Sequence, residues 1–178
     1  MTLVEAGLRI LQRVACRETS EWFKRLHSEE GVDIKEGVGL SHFEGQGGKL
    51  TRAVLNDKSV IDAEVAVVGI GILPSTELAE ECGLAVENGI IVNGVCQTND
   101  LDIYAAGDCA VSDYKGILTR LESVPNAIDQ ATIAGTHAAT GVAPNYVAKP
   151  WFWSDQFDVK LQIAGLNRGY TSVVTRAG

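Results

Sequence analysis

The residues best suited to chemistry in this chain are a glycine and an aspartate that follow a short apolar stretch. Ile103 to Ala106 has the composition of a short buried strand, and Gly107-Asp108 comes directly after it. Glycine lets a ligand approach the backbone closely, because it carries no side chain. The Asp108 carboxylate offers acceptor oxygens to sugar-type hydroxyl groups. The pattern predicts a strand that ends in a turn able to bind a polyhydroxylated ligand.

The start of a predicted helix offers a second site for charge stabilisation. Val124-Pro125-Asn126 begins a helical segment that runs to Thr140, has proline in its first turn and is followed by Gly141. Free N–H groups and the helix dipole at such a start stabilise negative charge. One face of this helix is small enough to pack closely against a sheet, and it consists of Ala127, Ala131, Ala134 and Ala138.

The elements that must position these residues are alternating strands and helices. Leu3-Val4 is predicted to be a strand ending at Glu5, and Glu18 to Glu30 an amphipathic helix. Val65 to Val68 is a continuous apolar run, which is typical of a strand buried on both faces. The other predicted elements are a helix over Pro74 to Glu81 and strands at Val32 to Ile34, Val38 to Phe43, Leu50 to Leu55, Ser59 to Ile61, Ile90 to Val92, Trp151 through Ile163, and Tyr170 to Thr175.

Composition excludes several classes of function. The net charge of -8 argues against a nucleic-acid partner, since binding to phosphates needs a concentration of positive charge. No apolar run approaches the roughly 20 residues of a membrane span, so no membrane partner is expected. The four cysteines have the spacing of neither a CxxC pair nor a zinc site, and no metal ligands are predicted; they are Cys16, Cys82, Cys96 and Cys109. Reduced thiols of this kind favour a cytoplasmic location.

Seven segments of the sequence resemble, in order, the FAD-dependent pyridine nucleotide-disulfide oxidoreductase superfamily, and specifically its ferredoxin reductase branch in bacterial oxygenase systems. The Gly-Asp element marks the broad superfamily, whereas the segments at Glu122 to Asn126 and Pro150 to Gln156 are more specific. The resembling segments are Thr2-Leu3-Val4-Glu5, Gly31-Val32-Asp33-Ile34, Val67-Val68-Gly69-Ile70-Gly71, Asn88-Gly89-Ile90, Thr98 through Asp108, Leu121 through Ala127 and Pro150-Trp151-Phe152-Trp153-Ser154-Asp155-Gln156.

The resemblance implies an α/β fold made of incomplete, three-layered Rossmann-like FAD/NAD(P)-binding domains, followed by the start of an α+β C-terminal domain. It places the remaining part of the NAD-binding domain at 1–72, the returning part of the FAD-binding domain at 73–148, and the C-terminal domain, resembling the dimerisation domain of reductases, at 149–178. Neither of the family's GxGxxG fingerprints occurs in the sequence. We therefore expect the chain to correspond to the later part of such an enzyme. The oligomeric state stays open.

The function implied by the resemblance is electron transfer from NADH through FAD to a 2Fe-2S ferredoxin. In this class the cofactors carry the reaction and the protein positions them. Two alternatives stay open at this point. One is a flavin disulfide reductase, in which flavin reduces a cysteine pair. The other is a catalytically inert fragment that binds neither cofactor stably.

The resemblance also assigns roles to individual residues. The Glu5 carboxylate would bind the adenosine ribose and disfavour a 2'-phosphate, which favours NADH over NADPH. Glu122 and Trp153 would sit where nicotinamide and flavin meet, as the catalytic pair. The implied cofactor-binding residues are Glu5, Ala6, Gly69, Gly71, Gly107, Asp108, Ser123, Val124 and Trp153. Each has a purely structural alternative, such as a solvated charge for Glu5 or a tight turn for Gly69 to Gly71.

Overall fold

The computed structural model describes residues 1–176 and divides into two compact units. Unit 1 contains residues 1–70 together with the chain from Asn167 onward, and unit 2 contains residues 71–166. Within the described residues, no helix is both long enough and apolar enough to cross a lipid bilayer.

Unit 1 begins with a strand, helix and strand in a parallel arrangement. Strand β1 (Thr2–Glu5) pairs with strand β2 (Asp33–Glu36), and helix α1 (Arg17–Glu29) connects them. Parallel strands need a crossover of this length, because the chain must return to the same end of the sheet. Phe23 on α1 is 3% exposed and anchors the helix in the core of the unit. Glu5 is paired with Glu36 at the end of the ladder.

The rest of the regular structure in unit 1 is an antiparallel sheet. Its strands are β3 (Leu40–Gln46), β4 (Lys49–Leu55) and β5 (Val60–Asp62), in that order. Gly47 and Gly48 have φ angles of 60° and 76° at the β3–β4 turn, a conformation that favours glycine. The three strands predicted from the sequence are confirmed, with shifts of one to three residues at their ends.

Unit 2 holds the second group of elements. These are helix α2 (Glu77–Glu81), strands β6 (Ile90–Ile91), β7 (Ala110–Tyr114) and β8 (Ile117–Thr119), helix α3 (Val124–Thr140), and the hairpin of β9 (Trp151–Gln156) and β10 (Val159–Ala164). Strand β7 is parallel to β6 and antiparallel to β8. The core contains Val92, Cys96, Ala105, Ala110 and Ala134. Helix α3 ends at Thr140 and is followed by Gly141, as predicted, and Gly141 has a left-handed conformation.

Three predicted strands are wrong. Ile103 to Ala106 is extended but forms only one bridge, between Gln97 and Tyr104. Val65 to Val68 has no regular structure and is exposed, with Val67 95% accessible. Tyr170 to Thr175 also has no strand. The physical reason is the same for all three, because a strand exists only where a neighbouring strand accepts its hydrogen bonds.

The predicted alanine face of helix α3 is also wrong in part. Ala134 is buried, but Ala131 and Ala138 are exposed. The buried positions of the helix are Asn126, Gln130 and Ala134, which repeat every four residues. Two polar side chains thus occupy the inner face, because they find hydrogen-bond partners there.

The predicted α/β class is confirmed. The domain limits 1–72, 73–148 and 149–178 stay a prediction, and the last two residues of the third domain lie outside the described residues.

Candidate functional site

The turn at Gly107 favours glycine for two reasons. The chain is extended at Ala106 and then forms a single 3-10 turn over Gly107–Cys109. Gly107 is buried and has a φ angle of 81°, in the left-handed region. A Cβ atom placed on Gly107 would lie 3.3 Å from the Cβ of Ala127 on helix α3. The glycine therefore permits both the turn and the close approach of the helix.

A buried polar network joins this turn to helix α3. The Gly107 N–H donates to Oε1 of Gln130 at 2.8 Å, and Gln130 is only 2% exposed. The Asn126 amide nitrogen donates to the same oxygen at 3.3 Å and to the Leu121 carbonyl at 2.9 Å. The Tyr146 hydroxyl donates to the Asn126 side-chain oxygen. Because every member has a partner, the network fixes the turn against the beginning of the helix.

The Asp108 carboxylate stands at the tip of the turn. Its side chain is exposed and has no hydrogen-bond partner within residues 1–176. Its backbone carbonyl, in contrast, accepts from the guanidinium of Arg120 at 3.4 Å. The backbone of Asp108 is therefore held while its carboxylate oxygens are available to a ligand.

Helix α3 begins beside this turn. Ser123 is the N-cap, and its Oγ accepts from the Asn126 N–H at 3.4 Å. Val124 follows as an exposed residue, and Pro125 has no N–H to satisfy. The positive end of the helix dipole thus lies next to the Gly107–Cys109 turn, where it favours a ligand that carries negative charge.

Glu122 forms an ion pair with a half-buried arginine. Its Oε1 lies 2.7 Å from Nη1 of Arg120, and the Arg120 side chain is 10% exposed. Trp153 lies on strand β9, is 49% exposed, and contacts Trp151 with 5.3 Å between ring centroids. Because they are two residues apart on a strand, both rings lie on one face. This places an exposed aromatic surface in unit 2.

The remaining predicted site residues belong to unit 1 or to its boundary. The Glu5 carboxylate ends strand β1 and accepts from the Gly7 N–H at 2.6 Å, and Ala6 beside it is exposed. Gly69 is exposed and has open space where a Cβ would point. Gly71, the first residue of unit 2, has a φ angle of 102°. Neither glycine is part of a regular element.

The structure brings some of the predicted residues together. Gly107, Asp108 and Ser123 meet at one corner of unit 2 through the contact between the turn and helix α3, and Arg120 links Glu122 to the same corner. Glu5, Ala6 and Gly69 lie in the other unit. The sequence did not predict the contacts made at this corner by four residues, which are Gln130, Asn126, Tyr146 and Arg120. A signal for two of them exists, since an amide at 126 and another at 130 recur one helical turn apart in an alanine-rich helix.

Within residues 1–176, no group of three His, Cys, Asp or Glu side chains is placed to hold a metal. The sequence matches the pyridine nucleotide-disulphide oxidoreductase family over residues 1–131. The chain belongs to this family. It also matches the reductase C-terminal family over residues 151–178.

Relatives in the family cover nearly the whole chain. Putidaredoxin reductase from Pseudomonas putida is 39% identical over 99% of this chain and 42% of its own length. Rhodocoxin reductase from Rhodococcus erythropolis is 40% identical, again over 99% of this chain and 42% of its own length. The chain therefore spans less than half the length of these relatives.

Solved structures agree with the sequence relationship. The ferredoxin reductase of Rhodopseudomonas palustris superposes with a TM-score of 0.94 at 40% identity, over 99% of this chain and 44% of the other. Putidaredoxin reductase in its covalent complex with putidaredoxin gives a TM-score of 0.92 at 38% identity, over 99% and 43% respectively. The similarity of fold thus extends over a similar share of each reductase.

Proposed function

We propose that this chain is the flavin-holding part of an FAD-dependent NADH:ferredoxin oxidoreductase. When bound, FAD supplies the means of accepting a hydride from NADH and passing electrons onward one at a time. The chain's own residues bind and orient the cofactors and provide the electrostatic field around them. A 2Fe-2S ferredoxin is the proposed partner and the cytoplasm the proposed location.

One observation carries the proposal: an exposed, unpaired carboxylate stands on a turn whose backbone is fixed from two sides. Arg120 holds the Asp108 carbonyl, and Gln130 holds the Gly107 N–H. A carboxylate with free oxygens suits the hydroxyl groups of the ribityl chain of FAD. Because the turn is already ordered, little conformational entropy is lost when a ligand binds.

The start of helix α3 supports the same assignment. Reduced flavin carries negative charge on its pyrimidine ring, and the positive end of the helix dipole at Val124 is preorganised to stabilise that charge. Ser123 and Val124 are the residues we propose to face that part of the cofactor. The helix start would favour electron uptake by the flavin, since it stabilises the reduced form.

The NADH assignment rests on unit 1 and on Gly71, the first residue of unit 2. We propose that Glu5 and Ala6 bind the adenosine ribose, and that Gly69 and Gly71 allow the backbone to pass close to the nicotinamide half. One oxygen of the Glu5 carboxylate accepts from Gly7, which orients the group and leaves its other oxygen for a ribose hydroxyl. Glu122 and Trp153 are proposed to lie near the meeting point of nicotinamide and flavin, where the indole would exclude water.

The ferredoxin partner is supported by the relatives. Two of them are named as reductases of putidaredoxin and rhodocoxin, and one solved relative is a putidaredoxin reductase joined to putidaredoxin. The four cysteines of this chain are free and do not distinguish this proposal from the disulfide-reductase alternative. The domain limits at 72 and 148 are proposed to separate the NAD-binding, FAD-binding and C-terminal parts.

Binding of FAD to residues 1–178 tests the proposal. We expect flavin fluorescence to be quenched on binding, and Asp108→Ala to weaken the affinity about tenfold or more, because a hydrogen bond to a charged group is lost. Asp158→Ala, at an exposed aspartate in the β9–β10 turn, is the matched control and should leave the affinity unchanged. Equal affinities for the Asp108 and Asp158 variants, or no flavin binding by the unaltered chain, would refute the assignment. The latter result would favour the inert alternative.

A further inference from the structure

Arg120 is a half-buried cation placed between three segments of unit 2. Its side chain is 10% exposed, and Nη1 lies 2.7 Å from the Glu122 carboxylate. The same Nη1 donates to the Asp108 carbonyl at 3.4 Å, and Nη2 donates to the Asn88 side-chain oxygen at 3.5 Å. One guanidinium thus contacts the turn at Asp108, the loop at Glu122 and the loop at Asn88.

The space for the Arg120 side chain depends on a glycine. Gly89 is buried and has a φ angle of 139°, which side chains rarely tolerate. A Cβ atom on Gly89 would lie 2.8 Å from the Cys109 carbonyl and 3.3 Å from Cδ of Arg120. The absence of a side chain at Gly89 therefore leaves room for the arginine stem beside the Cys109 carbonyl.

The low exposure of the Arg120 side chain makes its pairing important. A buried charge costs several kcal/mol unless it is paired and hydrogen-bonded. The planar guanidinium offers five N–H donors in a fixed geometry, and Nε of Arg120 is buried without a partner among residues 1–176. The ion pair with Glu122 is consequently the main compensation for the charge, and it restricts where the Glu122 carboxylate can lie.

We propose that Arg120 is a positioning residue that holds the Asp108 turn and the Glu122 loop in a fixed spatial relationship. One consequence of this inference rests on the proposed function. The Asp108 carboxylate, which would bind the ribityl chain, and the Glu122 carboxylate keep a constant separation in the cofactor site. Arg120 acts through Asp108 and Glu122. Its own contacts are to protein atoms, with Nη1 shared between the two segments.

Hydrogen exchange of the full 178-residue chain tests this role without requiring any cofactor. We expect Arg120→Gln to accelerate amide exchange about tenfold or more at both Gly107–Ala110 and Leu121–Val124, because both segments lose a charge-assisted contact. Arg52→Gln is the matched control, since Arg52 also lies near two carboxylates but is 56% exposed. It should leave exchange at both segments unchanged. Unchanged exchange at either segment in Arg120→Gln, or equal acceleration in the control, would overturn the proposal.

Arg120→Lys keeps the test decisive if the glutamine variant does not fold. Lysine carries the charge toward Glu122 but presents one donor centre instead of a planar fork. We expect exchange at Leu121–Val124 to stay near that of the unaltered chain while exchange at Gly107–Ala110 rises. Exchange at Gly107–Ala110 identical to that of the unaltered chain would contradict the proposed link to Asp108.

A flavin titration of the same proteins separates this inference from the proposed function. If the unaltered chain binds no FAD, the proposed function fails, and the exchange experiment still decides the role of Arg120. If the unaltered chain binds FAD, Arg120→Gln should weaken the affinity and Arg120→Lys should restore part of it. Equal FAD affinity in all three proteins would overturn the consequence drawn for the cofactor site.

Discussion

The amide nitrogen of Gly107 lies 2.8 Å from Oε1 of Gln130, and both residues are buried. This hydrogen bond joins a turn to a helix that begins 17 residues later in the chain, at Val124. It also determines which side of the helix faces inward, since the burial of Gln130 turns Ala131 outward. The register of the helix start against the Asp108 turn thus depends on a polar contact.

Removing the Gln130 amide should destabilise unit 2. Gln130→Leu keeps a similar volume but leaves the Gly107 N–H without its acceptor and removes one acceptor of the Asn126 amide. We expect the free energy of unfolding in urea to fall by about 1–3 kcal/mol, the cost of an unsatisfied buried group. Gln162→Leu, at an exposed position of strand β10, is the control. A loss no greater than that of the control would contradict the role given to the network.

The contact between Gly107 and Ala127 can be separated from backbone strain. Gly107→Ala places a Cβ at φ 81° and 3.3 Å from the Ala127 Cβ, whereas Gly116→Ala has nearly the same φ, 82°, with open space around it. The free energy of unfolding of each variant should fall by about 1 kcal/mol, because alanine is disfavoured in the left-handed conformation. In urea unfolding we expect the free energy of unfolding to fall further for Gly107→Ala than for Gly116→Ala, because helix α3 must also shift. If both variants lose the same stability, helix α3 adjusts to the added Cβ atom at no measurable cost.

The features that the sequence predicted correctly are local ones. Pro125 and Gly141 limit helix α3 because each residue restricts or permits its own backbone conformation. The hairpin of β3 and β4 turns at Gly47-Gly48 for the same reason. The Gly107-Asp108 corner was also predicted, although the preceding stretch is extended chain and not a strand. Signals of this kind depend on a residue and its neighbours, so a single sequence carries them.

The features that the sequence did not predict depend on distant contacts. Arg120 is recognised as a linking residue only when Asn88, Asp108 and Glu122 are seen around it. The exposed run at Val65 to Val68 was predicted to be a buried strand because its composition is apolar. Composition does not show whether a neighbouring strand is present to pair with it. Gln130 was missed because polar residues on an inner face contradict the periodicity rule unless their partners are known.

Tyr146 should titrate at unusually high pH. Burial, assisted by the negative charge of Asp129 and by Cys96, raises the pKa of its hydroxyl from 10.0 to about 12. Because the folded pKa is the higher one, this group contributes stability below pH 10, and that contribution is lost as the pH rises toward 12. In absorbance titrations we expect one of the four tyrosines to ionise near pH 12, and Tyr146→Phe to remove that step.

The control for this titration is a tyrosine in a more open setting. Tyr170→Phe, at a residue that is 52% exposed, should leave the ionisation step near pH 12 in place. A titration in which Tyr146→Phe removes only a step near pH 10 would show that the Tyr146 hydroxyl does not experience the burial described here.

Coenzyme choice should depend on the charge of Glu5. Glu5→Gln keeps an oxygen that can accept from the Gly7 N–H, so the local turn is preserved while the negative charge is removed. A carboxylate repels a 2'-phosphate and accepts strongly from ribose hydroxyls. In fluorescence titrations we therefore expect weaker NADH binding and stronger NADPH binding, with the ratio of the two dissociation constants changing about tenfold in total. Glu64→Gln removes an exposed charge elsewhere in unit 1 and should leave this ratio unchanged. If Glu5→Gln weakens both coenzymes equally, the carboxylate supports the turn and takes no part in distinguishing NADH from NADPH.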